Sequence, residues 1–186
     1  TSQCDSSGFR FGEPMFNYYT QFPYLIGEVF HLMGFSIITS VKLLFILSLL
    51  LSGLIMFLFS RSYWGNIGGF ISAAFYVLAP YRAVDVWVRG ALPEAMAFVY
   101  FPVILYALDK KKYLLFTLFL SLLLITHNLS LFMFLPFLGF WWLVTSRDRK
   151  FIPAGLFSLL LSSFYLLPVI FESNLVTLAK TTEGYY

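Results

Sequence analysis

The sequence predicts an all-α, polytopic membrane helix bundle of about six transmembrane helices, with interfacial helices on its outer face. Composition is the first reason. The chain is 60% hydrophobic, 21% aromatic and only 11% charged, with a mean hydropathy of +0.82, so lipid rather than water is the solvent for most of it. The apolar residues also fall into runs near the length of a membrane crossing, since roughly 20 residues at 1.5 Å each cover a hydrocarbon core of ~30 Å. Finally, the basic residues between the runs alternate between rich and poor loops.

In chain order, residues 1–40 start polar and become aromatic, FRFGEPMFNYYTQFPYLIGEVFHLMGF, with Pro14 and Pro23 as punctuation. They predict an extracytoplasmic loop with interfacial helices. A short amphipathic helix is expected over 24–35, with Tyr24, Glu28 and His31 on one face. Residues 41–171 predict the six-span domain. Its spans are 41–60, 65–80, 95–108, 113–126, 129–145 and 151–171. Gly68, Gly69, Ser72, Ala73 and Ala74 give the second span a small-residue face for close contact. The third and fourth are short and flank the Lys110, Lys111, Lys112 turn, whose side chains can snorkel. One helix over 113–145 would be roughly 50 Å long, so the chain must turn at His127 and Asn128. Residues 172–186 predict an extracytoplasmic tail continuing into further chain. The absence of a signal-peptide pattern at a non-Met start likewise predicts a piece of a longer protein.

Seven basic residues, Arg61, Lys110, Lys111, Lys112, Arg147, Arg149 and Lys150, share one side of this arrangement with only Asp109 and Asp148. That side is expected to be cytoplasmic, which leaves both chain ends extracytoplasmic. A net charge of +3 is too small to imply nucleic acid, and the single cysteine, Cys4, excludes an internal disulfide.

Chemistry concentrates in YRAVDVWVRGALPE, an island carrying Arg82, Asp85, Arg89 and Glu94 between apolar runs. On a helix, Arg82, Asp85 and Arg89 share a face. Two readings fit: a structural ion-pair ladder, or a site where two guanidiniums grip a phosphate while Asp85 orients one of them. Gly90 ends that helix, and Pro93 leaves Glu94 at the next N-terminus, as a cap or as a functional carboxylate. His127 and Asn128 are a structural turn or a functional pair at the membrane boundary. The Asn128, Leu129, Ser130 sequon lies too close to the bilayer for modification. Glu28 and His31 supply two metal ligands, which is not a site, so no metal is expected. No phosphate loop, GxSxG or HExxH occurs, and no cofactor is expected.

The stretches YRAVDVWVRGALPEA, LLLITHNLSLFMFLP, FGEPMFNYYTQFPYLIG and LLPVIFESN resemble a family of large prokaryotic membrane proteins labelled 6-pyruvoyl-tetrahydropterin-synthase-related, which is similar to the GT-C superfamily of glycosyltransferases. The most specific matches are Val88, Arg89, Gly90 and Glu94, and Thr126, His127 and Asn128. The resemblance implies a plasma-membrane enzyme that passes a sugar from a polyprenyl-phosphate carrier, on the outer face, to a glycan, lipid or protein acceptor. It also implies an acidic base in an early outer loop, a region expected upstream of Thr1. Within this chain the candidate bases are Asp5, Asp85 and Glu94. Arg82, Arg89, His127 and Asn128 are candidates for the phosphosugar, and Tyr18, Tyr19, Tyr24 and Trp87 for sugar stacking or the lipid groove. A transporter or flippase of lipid-linked glycans, and a non-catalytic subunit assembled with other membrane proteins, are the alternatives.

Overall fold

The computed structural model describes residues 20–171, and all the regular structure among them is helical. Asp5, Tyr18 and Tyr19, and the tail 172–186, lie outside the described residues. Helix α1 is Phe22–Leu32, with Pro23 in its first turn, where the missing N–H costs nothing. Tyr24, Glu28 and His31 are all exposed on it, and His31 Nδ1 lies 2.9 Å from the Phe35 carbonyl oxygen.

Helix α2, Ile37–Val77, begins at Ser36, whose side chain accepts from the Thr39 N–H. It is not one rod. Gly65 adopts φ 68°, ψ −172°, a conformation essentially restricted to glycine, and the chain reverses there. A Cβ on Gly53 would lie 2.8 Å from Val77 Cγ2, and one on Gly69 would lie 2.9 Å from Arg61 Cβ. Contacts between residues so far apart in sequence require the two halves to lie side by side, and glycines let them approach that closely.

Helix α3, Pro80–Ala83, runs into a π-helical turn, Val84–Arg89. Helix α4, Leu92–Asp109, follows and is the centre of the molecule: Ala95, Ala97, Ile104, Ala107 and Leu108 are fully or almost fully buried. It packs against α2, α5 (Tyr113–Thr126) and α6 (Asn128–Thr145). With 18 residues it is longer than the run 95–108, because Leu92 and Pro93 form its first turn. Helices α7, Phe151–Leu161, and α8, Ser163–Phe171, complete the described chain.

Among the described residues three helices have the length and hydropathy to cross a membrane: Ile37–Val77, Leu92–Asp109 and Asn128–Thr145. The pair Phe151–Leu161 and Ser163–Val169 is a fourth if taken together. Such helices mark the chain as a membrane protein. The span expected over 151–171 is bent by 66° between Phe151–Leu161 and Ser163–Val169. The bend falls at Ser162, whose hydroxyl donates to the Ser158 carbonyl at 2.9 Å, a back-bond that bends helices.

Tertiary packing sorts the charges to two ends. Arg61 and Lys110 line one hollow with Tyr106, while Tyr113 donates to Asp148 at 2.6 Å and Lys150 stands 5.9 Å over the Tyr113 ring. The loops on either side of these residues therefore share one end. Arg89, Glu94, His127 and Asn128 gather at the other.

Candidate functional site

The site is built on the break between α3 and α4. Gly90, at φ 61° and ψ 31°, closes the π-turn in the left-handed conformation, which glycine adopts without strain. The Ala91 N–H then caps the Asp85 carbonyl at 3.1 Å. Pro93 sets the first turn of α4 and places Glu94 beside it, at the end where the helix dipole favours negative charge.

Four side chains of the island meet. Arg89 Nη1 donates to Glu94 Oε2 at 2.9 Å and to Asp85 Oδ1 at 3.3 Å, and lies 3.4 Å from the Tyr81 hydroxyl. The Tyr81 hydroxyl in turn donates to Glu94 Oε1. Among the described residues every hydrogen bond of the Arg89 guanidinium runs through Nη1, and the side chain is 51% exposed. The rest of its fork is therefore free to meet a ligand. Asp85 is 1% exposed. Burial, and then the neighbouring Glu94 carboxylate, push its carboxyl up to about 7, so Asp85 changes charge around neutrality beside Arg89.

Arg82 does something different from Arg89. It is 1% exposed, donates from Nη1 to Ser52 Oγ at 2.6 Å, and stacks 4.7 Å over the Phe98 ring and 5.6 Å over Tyr76. Its guanidinium ties α2 to α4 inside the bundle. Of the two arginines, Arg89 is the one within ion-pair distance of Asp85, at 3.3 Å.

His127 is extended at φ −159° and caps α6, its Nδ1 accepting the Ser130 N–H at 3.2 Å and lying 2.7 Å from Ser130 Oγ. That assignment leaves the ring proton on Nε2. Burial lowers the His127 pKa, so the ring is a neutral donor. Asn128 is half-buried beside it.

These residues enclose a cavity of about 320 Å³ lined by Arg89, Glu94, His127 and Asn128, with Thr20 and Tyr165. A second, apolar groove of about 180 Å³ runs along Phe98, Phe101, Met133 and Phe134, and it too is lined by Glu94 and by Tyr81. Glu94 stands where a polar chamber meets an apolar one.

The chain matches no protein-family model, no curated protein and no solved structure. The functional reading therefore rests on this geometry and on the residues that carry it. Among the described residues no group of three or more His, Cys, Asp or Glu could hold a metal ion. Trp87 is 80% exposed and lines neither the cavity nor the groove. Three participants escaped the sequence reading, Thr20 at the cavity wall among them. Tyr81 opened the island but had no role assigned, and its signal was a hydroxyl among charges. Tyr165 comes from a distant apolar run, where a tyrosine alone carries no sign of its partner.

Proposed function

We propose that the chain is the membrane core of a GT-C-like glycosyltransferase that uses a polyprenyl-phosphate-linked sugar on the extracytoplasmic face. The observation that carries the reading is Glu94, which lines both the polar cavity and the aromatic groove. An amphiphilic donor needs that junction, with its phosphosugar in the polar chamber and its hydrocarbon in the apolar one.

In this reading Glu94 takes the proton of an acceptor hydroxyl, whose oxygen forms a bond to the anomeric carbon. The bond from that carbon to the phosphate oxygen breaks, and the electron pair leaves on the polyprenyl phosphate. Arg89 turns the free part of its fork to the departing phosphate, and His127 donates from Nε2. Asn128 and Tyr165 face the sugar. Asp85 and Tyr81 hold Arg89 and Glu94 in register, and Arg82 ties α2 to α4 behind them.

Six crossings and an outward site belong to the same proposal. They are supported by the reversal at Gly65 and by the gathering of Arg61, Lys110 and Lys150 at the end opposite Glu94.

Purified protein in proteoliposomes, supplied with polyprenyl-phosphate sugars and an acceptor extract, tests the proposal. Release of free polyprenyl phosphate is expected from the wild type, and Arg89→Ala should lose it at least ~100-fold while remaining inserted and helical. Movement of the intact carrier without cleavage would replace the enzyme by a transporter. Inactivity with co-purification in fixed stoichiometry with other proteins would replace it by a subunit.

A further inference from the structure

A further hollow, about 510 Å³ in volume, opens between α2 and α4 at the end of the bundle away from Glu94. Ile55, Leu58 and Val103 give it an apolar floor, and Arg61, Tyr106 and Lys110 form its polar rim. The Lys112 ammonium stands 5.1 Å over the Tyr106 ring, bringing a third cation to the rim. Asp109 lies 3.4 Å from Lys110 Nζ, which is still 43% exposed. Among the described residues neither Arg61 nor Lys112 forms an ion pair. Positive charge on the rim thus exceeds what Asp109 offsets.

We propose that this hollow binds an anionic phospholipid, with its phosphodiester between Arg61 and Lys110 and an acyl chain along Ile55, Leu58 and Val103. Charge complementarity selects the headgroup, because a guanidinium fork matches phosphate oxygens and cations at a membrane surface attract anionic lipid. The apolar floor selects an amphiphile over a soluble anion, since a hydrated phosphate gains nothing from aliphatic walls while a hydrocarbon chain does. The lipid would bridge the α2 hairpin and the central helix α4. The site is independent of sugar transfer and lies at the other end of the bundle.

Native mass spectrometry of the full chain, released from nanodiscs of equal phosphatidylglycerol and phosphatidylcholine, tests it. Two cations at a membrane surface predict a ~30-fold preference for the anionic lipid in the bound fraction. Arg61→Gln with Lys110→Gln should remove that preference, and Arg147→Gln with Arg149→Gln, outside the hollow but in a loop at the same end, should keep it. Soluble glycerol phosphate should fail to displace the lipid. The proposal is overturned if the wild type shows no preference, if the two pairs of changes act alike, or if glycerol phosphate competes.

Discussion

Arg89 Nη1 lies 2.9 Å from Glu94 Oε2 across the left-handed turn at Gly90. The contact joins the end of one helical segment to the first turn of the next, and it sets the floor of the polar cavity. One nitrogen serves Glu94, Asp85 and the Tyr81 hydroxyl together. Removing it leaves two neighbouring carboxyls without their shared cation, which is why Arg89 is the first residue to replace.

The pH response follows from Asp85. Its folded-state pKa, about 7, is raised above the ordinary carboxylate range, so the folded protein binds this proton more tightly than the unfolded chain. The resulting stability is fully present below about pH 4 and is lost as pH rises through 7. Thermal unfolding in detergent between pH 5 and 8 should show the wild type falling relative to Asp85→Asn, which has no such proton. Parallel profiles would mean that Asp85 ionises as an exposed carboxyl does.

His127 combines a cap with a candidate donor, and two substitutions separate the roles. Asparagine can still accept the Ser130 N–H, whereas alanine cannot, so His127→Ala should cost about 1 kcal/mol of stability and His127→Asn much less. If the Nε2 proton serves the leaving phosphate, both variants should lose turnover to a similar extent. Full turnover by His127→Asn would leave His127 as a cap alone.

Gly65 and Gly90, two of the three positive-φ glycines among the described residues, should respond differently to asparagine. Gly90 is in the αL region with open space around its Cα, and asparagine tolerates that region, so Gly90→Asn should cost no more than about 1 kcal/mol. Gly65, at φ 68° and ψ −172°, occupies a region that side chains avoid, with a cost on the order of 1–3 kcal/mol. Gly65→Asn should therefore lower the melting temperature more than Gly90→Asn. The reverse order would show that the turn at Gly65 can be made another way.

Much of the architecture is local and was legible from residue order. Backbone in lipid is satisfied only in helices or closed barrels, and apolar runs near 20 residues are of helix length, so the all-helical class followed from composition and run length. The stop at Gly90, the start at Pro93 and the turn at His127 and Asn128 followed from capping and chain length, and each is present. The basic turn at Lys110–Lys112 also stands, with Lys111 at φ 51°. The bend at Ser162 was not legible, because a back-bonding serine in an apolar run looks like any other small residue.

The division of labour between Arg82 and Arg89 belongs to the tertiary structure alone. Their spacing about Asp85 made them equivalent on an ideal helix. Ser52 and Phe98, from other helices, draw Arg82 into the interior, and Glu94 beyond the Gly90 turn holds Arg89 at the cavity. Sequence determined that the island's charges would interrupt the apolar runs of a helical membrane protein and sit apart from the basic loops, since hydropathy and caps act over a few residues. Only the packing of distant helices decided which charge is buried, which faces a ligand, and that Glu94 stands between a polar chamber and an apolar groove.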